Sequence, residues 1–299
     1  MPCTLPASVT LIEVGPRDGF QFESRLIPTE LKVAVIQALA DAGIRNIQVA
    51  SFVNPEKIPQ MADAEDLLQR LPRRTDVVYS GLALNLRGVE RAHAAGLQAI
   101  EVSFSASDTH SRKNTGLSHQ QALKQGNAMI RLAESYRMQV RLSIQCAFGC
   151  VYEGKPSPEA IIKIIRDLDC LGSVAMLCLS DTTGMADPRS VIERLHDVKA
   201  LVGPIPVGLH LHDTRGMGLA NVYAALMCGV THFDTALGGM GGCPFVEGAA
   251  GNIATEDTVH MLEAMGIITG IDILKVANCS QRLEHFLGKP LPGKIYRII

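Results

Sequence analysis

Short β-branched, apolar runs alternate along this chain with longer stretches whose apolar residues recur at helical spacing. The alternation predicts strands at 9–14, 44–50, 76–84, 98–104, 139–147, 173–180, 205–211 and 231–236. It predicts helices at 29–42, 58–71, 86–95, 119–138, 158–171, 188–202, 218–228 and 254–265. Three helix ends share one form, in G-I-R-N-I, A-A-G-L-Q-A-I and M-C-G-V-T-H-F: a Gly, an apolar residue, then a strand. A Gly there reads as a C-cap, because it can take the left-handed backbone that stops a helix.

Eight strand–helix pairs in strict order imply parallel strands, and eight is the number that closes a ring. The expected fold class is α/β, a (β/α)8 TIM barrel with a short C-terminal helical extension; a doubly wound sheet is the main rival. Residues 1–270 form the expected catalytic barrel, and 271–299 an extension packing on it. No linker, charge block or low-complexity segment marks a second domain.

Composition narrows the function classes. The 299 residues are 47% hydrophobic and 19% charged with a formal net charge of −2, which excludes a disordered tail protein. The near-neutral charge supplies no field for nucleic acid or an anionic membrane, so neither is an expected partner. Aromatics are 4% with no Trp, so stacking platforms for single strands are not expected. No apolar run approaches the roughly 18 residues of a membrane span. The 8 cysteines lack C-x-x-C spacing and read as reduced thiols of a cytoplasmic enzyme. The opening M-P-C-T-L-P-A-S runs at once into strand-like sequence, too short for a signal or transit peptide.

Chemistry in such a barrel belongs at the C-terminal strand ends. The first strand ends in E-V-G-P-R-D-G, which places Glu13, Arg17 and Asp18 in a tight turn; a surface ion pair is the plain alternative. The seventh ends in G-L-H-L-H-D-T. Period two puts His210 and His212 on one strand face, where they form a clamp for a divalent metal or two hydrogen-bonded buried histidines. Asp18 could complete a His₂–carboxylate set with open positions, suited to Mg²⁺, Mn²⁺, Zn²⁺ or Fe²⁺. The remaining histidines, His110 among them, read as structural or solvated. The Gly-rich segment 238–252 carries one thiol, Cys243, read either as an acid/base group delivered by loop closure or as an incidental thiol. Strand six ends in L-S-D-T-T-G, where Asp181 reads as an orienter, a base or a turn cap. The loop after strand four carries Arg112, Lys113 and Asn114, which could grip phosphates or lie solvated.

These segments together are recognisable. E-V-G-P-R-D-G, S-F-V-N-P, C-A-F-G-C-V-Y-E-G, H-L-H-D-T and A-L-G-G-M-G-G-C-P-F-V-E-G-A-A-G-N resemble the 3-hydroxy-3-methylglutaryl-CoA (HMG-CoA) lyase family, in its order and from Thr10 to about Gly270. The resemblance implies that Asp18, His210, His212 and Asn252 bind a divalent cation (Mg²⁺ or Mn²⁺, with Zn²⁺ also compatible). It implies that Arg17 stabilises the enolate oxygen, Cys243 is the acid/base thiol and Asp181 a supporting acid. The implied partner is an acyl-CoA substrate, the implied assembly a homodimer, and the implied reaction cleavage of HMG-CoA to acetyl-CoA and acetoacetate.

The chain departs from the family at four places. Family lyases commonly carry Glu where this chain has Gln48, in I-Q-V-A-S-F. Phe22 stands where a polar Asn is usual, and Leu211 and Arg215 replace the commoner Cys and Tyr. A lyase acting on a related 3-hydroxyacyl-CoA is one alternative. A Claisen-type synthase joining an acyl-CoA to a 2-oxo acid is another, and a catalytically silent barrel is a third.

Overall fold

A computed structural model describes residues 5–242 and 250–299. Its strands are β1 (Thr10–Glu13), β2 (Asn46–Ser51), β3 (Val78–Ala83), β4 (Ala99–Ser105), β5 (Gln139–Gln145), β6 (Val174–Ser180), β7 (Val207–His210) and β8 (His232–Thr235). They pair in chain order, all parallel, and β8 closes on β1, so the ring is a (β/α)8 barrel and not an open sheet. Around it run α1 (Thr29–Asp41), α2 (Ala64–Arg70), α3 (Leu86–Ala94), α4 (Asp108–Thr115), α5 (His119–Ser135), α6 (Pro158–Arg166), α7 (Pro188–Val202), α8 (Gly218–Met227), α9 (Thr255–Ala264) and α10 (Ile273–Leu287).

Local sequence accounts for most boundaries. Side chains of Asn85, Ser118, Ser157 and Asp187 accept backbone N–H groups at the starts of α3, α5, α6 and α7. Gly43, Gly96 and Gly229 have φ of 100°, 90° and 72°, and the apolar residue after each donates back into its helix. Helix α2 begins at Ala64, later than the apolar spacing indicated, because Pro59 sits in a separate short turn.

One expectation needs correction. Residues 108–115, read as a polar loop, form α4. The segment has no apolar stripe. Ser107 caps it, Asp108 and Arg112 pair one turn apart at 2.6 Å, and Gly116 ends it in the left-handed conformation.

The core is a continuous apolar layer between strands and helices, including Leu39, Ile47, Ile100, Ile130, Leu195 and Phe233. Helix α10 joins it through Val276, Ala277 and Leu283, and the tail adds Leu291 and Tyr296. Backbone N–H groups of Lys294 and Ile295 donate to Asp257, which fastens this extension to α9. No described helix is long and apolar enough to cross a membrane.

Candidate metal centre and active site

The turn after β1 is fixed before any ligand is considered. The Arg17 and Asp18 N–H groups both donate to the Val14 carbonyl, at 3.0 and 2.6 Å, in one wide helical turn. Beneath it, Glu13 Oε1 accepts from Gly15 at 2.7 Å and Leu237 at 3.0 Å, and Oε2 from Thr255 at 2.6 Å. A Cβ at Gly15 would come within 2.3 Å of Leu237 Cδ2 and 2.6 Å of Glu13 Oε1, so a larger residue would have to displace the side chains that pack under the turn. Burial pushes the Glu13 carboxyl up to about 8, against the pull of those hydrogen bonds.

The second half of the site comes from β7 and the chain beyond β8. Strand β7 ends at His210, so His212 is not held by strand pairing as the period-two reading supposed. It pairs instead with Asn252: Asp213 N–H donates to Gly251 at 2.7 Å and Ile253 N–H to Leu211 at 3.2 Å. That return delivers Asn252, whose Nδ2 donates to Asp18 Oδ2 at 2.8 Å and to the Met240 carbonyl at 3.0 Å. Gly241, at φ 136°, leaves room for it; a Cβ there would lie 2.4 Å from Asn252 Nδ2.

Asp18, His210 and His212, far apart in sequence, thus offer ligand atoms all within 4.8 Å of one another, and all three are buried. The two imidazole Nε2 atoms are 3.1 Å apart, and Asp18 Oδ2 is 3.9 Å from His210 Nε2. Two nitrogens at that spacing suit adjacent corners around an ion with bonds of about 2.1 Å. Asn252 Oδ1 is buried with no donor among the described residues, a free acceptor beside the cluster. The residues therefore fit a divalent cation.

Their electrostatics agree. His210 Nδ1 lies 3.0 Å from Asp234 Oδ2, which sets Nδ1 as the protonated nitrogen and leaves Nε2 as a lone pair. Burial lowers the His210 pKa, but Asp234 outweighs it and the net shift is upward. Burial and His210 draw His212 down to about 3, so it is neutral. Burial raises Asp18, yet Arg17 and the two histidines hold it below the ordinary carboxylate value. Arg17 bonds Asp18 through Nη1 and Gln48 Oε1 through Nε.

A cavity of about 310 Å³ opens over this cluster, with Arg17, His210 and His212 in its wall. Leu82, Leu84, Val53, Ile58 and Phe22 give it an apolar side; Ser51, Ser143, Ser180 and Glu101 give it a polar one. Asn114 lines it, whereas Lys113 lies over the Tyr152 ring at 4.9 Å and Arg112 pairs with Asp108. Asp181 does not line it. Its Oδ1 accepts Met185 and Ala186 N–H at 2.7 and 3.0 Å, and burial pushes its carboxyl up to about 6. Of the four departures, Phe22 lines the mouth and Gln48 lies behind Arg17. Leu211 is in the core, and Arg215 clamps the Thr183 and Gly184 carbonyls at 2.8 and 2.7 Å. Cys243 lies outside the described residues.

The structure adds residues that sequence reasoning passed over. His110, read as structural or solvated, is buried in the cavity wall, with Nδ1 3.0 Å from Ser105 Oγ. Glu101, Arg141 and Asp234 form a buried chain: Arg141 lies 3.3 Å from Glu101 and 2.6 Å from Asp234. Strand register builds it, since Glu101 faces Arg141 across β4–β5 and His210 faces Asp234 across β7–β8. A charge in mid-strand, as in I-E-V or V-R-L, is the signal that marks them.

A closed parallel barrel with a buried carboxylate–imidazole cluster and a guanidinium at its C-terminal strand ends defines a (β/α)8 enzyme built for metal-assisted carbonyl chemistry. Residues 8–283 match the HMGL-like family model. The cytoplasmic 3-hydroxy-3-methylglutaryl-CoA lyase of Danio rerio is 38% identical, over 97% of this chain and 87% of its own length. The mitochondrial hydroxymethylglutaryl-CoA lyase of Macaca fascicularis is 36% identical, over 98% of this chain and 90% of its own. The structure of an HMG-CoA lyase from Acinetobacter baumannii in complex with coenzyme A and 3-methylmalate superposes with a TM-score of 0.93. It is 37% identical and covers 98% of this chain and 95% of that one. The chain belongs to the HMGL-like family.

Proposed function

We infer that the protein is a metal-dependent carbon–carbon lyase that cleaves HMG-CoA to acetyl-CoA and acetoacetate. One observation carries the reading: the Arg17 guanidinium stands against the Asp18–His210–His212 cluster in the wall of a cavity of about 310 Å³. In this reading Asp18, His210, His212 and Asn252 hold the cation, two nitrogen and two oxygen donors that suit Mg²⁺ or Mn²⁺ and are also compatible with Zn²⁺. When bound, the cation lowers the pKa of the substrate's tertiary hydroxyl and anchors the departing keto acid.

The remaining work falls to the chain. Arg17, pinned on two sides, presents fixed positive charge to the thioester oxygen as the enolate develops, a contribution of about 3–4 kcal/mol for one such donor. Asp234 keeps the His210 lone pair directed at the cluster. Ser51 Oγ, buried in the cavity wall and without a partner among the described residues, is placed to donate to the acyl group. The wall of Leu82, Leu84 and Phe22 keeps water from the carbanion. Cys243 is the proposed acid/base group that takes the tertiary hydroxyl's proton and returns it to the carbanion. Asn114 at the cavity, with Lys113 and Arg112 on the same helix, is the proposed edge for the CoA moiety.

Cys146, Cys150, Cys170, Cys178 and Cys279 are free thiols, which suits the cytoplasm of the Danio rerio relative. The proposed assembly is a homodimer. A coupled assay for acetyl-CoA release from several 3-hydroxyacyl-CoA thioesters, with and without chelator, tests the function. Chelator-sensitive release from HMG-CoA supports it. Free thiol appearing from acetyl-CoA plus a 2-oxo acid, with no 3-hydroxyacyl-CoA cleaved at its C2–C3 bond, replaces it with the synthase. Cys243→Ala should cut turnover strongly at unchanged metal content; unchanged turnover removes the thiol from the mechanism.

A further inference from the structure

Glu101 is a carboxylate beyond those the cation needs. It sits in mid-β4, 6% exposed, at the bottom of the cavity over the metal cluster. With Gln48 and Arg141 it also lines a second cavity, of about 280 Å³, toward the strand starts. These side chains thus form a polar layer across the barrel interior. Within that layer Gln48 is held at both ends. Its Oε1 accepts from Arg17 Nε, and its Nε2 donates to Glu101 Oε2 at 3.0 Å. Glu101 in turn meets Arg141 Nη1 at 3.3 Å, and Arg141 continues to Asp234 and His210.

An amide has one accepting end and one donating end. Arg17 donates only and Glu101 accepts only, so the two together fix which way the Gln48 amide points. Without that carboxylate the Nε2 end loses its acceptor, and the Arg17 bond alone holds the amide. We infer that Gln48 and Glu101 act as one positioning unit for Arg17, with β4 supplying the carboxylate that holds the far end of the Gln48 amide.

The polarity of every bond is consistent with this. A carboxylate at 48 would lie about 3 Å from that of Glu101, and two like charges so close in a buried site cannot both ionise without cost. Gln48→Glu therefore adds an unmatched charge. The exchange of both residues preserves charge and bonding. Glu at 48 accepts from Arg17, and the amide of Gln at 101 donates to it while accepting from Arg141.

The test is a double-mutant cycle over Gln48→Glu, Glu101→Gln and the pair. The kinetic arm rests on the lyase reading above; the stability arm does not. Each single variant is expected to lose about tenfold or more in kcat with KM moved less than about threefold, and the double variant to recover to within about threefold of wild type. Melting temperatures should show the same coupling. Multiplicative losses in kcat, or a Gln48→Glu enzyme as fast as wild type, overturn the unit as a positioning device. Additive melting shifts overturn the pairing itself. A wild type that releases no acetyl-CoA from any 3-hydroxyacyl-CoA overturns the lyase reading, while the melting cycle still decides the pair. Should Gln48→Glu fail to fold, recovery of folding on adding Glu101→Gln supports the unit, and no recovery overturns it.

Discussion

Between the strands and the helices the molecule is an uninterrupted apolar layer, while inside the ring the middle of the barrel carries Gln48, Glu101, Arg141, Asp234 and His210. Among the described residues, Ile12, Val14 and Ala236, with Met176 against them, form an apolar cluster apart from the main core. Both regions are buried, yet they hold together differently. The outer layer is stabilised by area removed from water, about 25 cal/mol per Å², with little demand on direction. The inner network depends on direction, because each buried charge must meet its partner or bear the full loss of hydration. A single substitution should therefore change chemistry as well as stability in the inner network, and stability alone in the outer layer.

The largest effect belongs to the inner network. His212→Ala removes a neutral imidazole whose Nε2 is 3.1 Å from that of His210. Turnover should fall by roughly 10²–10³-fold, the range for losing one electrostatic stabiliser of the transition state. Metal content by elemental analysis should fall with it, and full occupancy in the variant would refute the clamp. In the outer layer, Ile130→Ala on α5 empties a fully buried site. Its expected loss is about 2–5 kcal/mol of stability with kcat and metal content unchanged. If Ile130→Ala instead depleted metal, the two regions would not be separable.

A smaller effect comes from the boundary between them. Glu13 holds Gly15 of the metal-ligand turn and Leu237 below the Gly-rich segment. Burial pushes its carboxyl up to about 8, above the ordinary unfolded value of about 4.3. The fold therefore favours the protonated form. Its contribution to stability is complete below the unfolded value and is lost as pH rises through about 8. Calorimetry should show the melting temperature of wild type falling more between pH 5 and pH 8 than that of Glu13→Gln, which stays neutral throughout. Parallel curves for the two proteins would remove Glu13 as the cause.

The same contrast explains how much was legible in the sequence. Apolar periodicity reports the outer layer directly, and it located the eight strands, their order and the Gly-capped helix ends at 43, 96 and 229. It reports little about the interior, where partners lie on different strands. That Asp18 stands beside His210 and His212 follows from ring closure between β1 and β8; the strand-end motifs offered that set as one option, and the family resemblance then implied it. Glu101, Arg141 and Asp234 were visible as charges in strands otherwise buried on both faces, a mark against the ordinary parallel-strand pattern. His110 was hidden because α4 has polar residues all round, and its hold on Ser107 and Gly116 is local, not periodic.

The smallest predicted effect tests where α4 meets the solvent. Arg112 is 59% exposed and already paired with Asp108 at 2.6 Å, and Asp108 is fixed by the His119 N–H at 2.8 Å. Such an exposed pair is worth about 0–1 kcal/mol, so Arg112→Ala should barely move the melting temperature. If Arg112 also meets the phosphates of CoA, the variant raises KM for the thioester by about two- to fivefold without changing kcat, since binding remote from the reacting carbon is lost equally in ground and transition states. Added salt should shrink that difference, because an exposed charge is screened within about 8–10 Å at physiological ionic strength. A KM that does not change, at low salt as well as high, leaves Arg112 a helix-stabilising residue and moves the phosphate contact to Lys113 or off this helix. A change in kcat would mean instead that α4 shifts when Asp108 loses its partner, carrying Asn114 and His110 with it into the cavity wall.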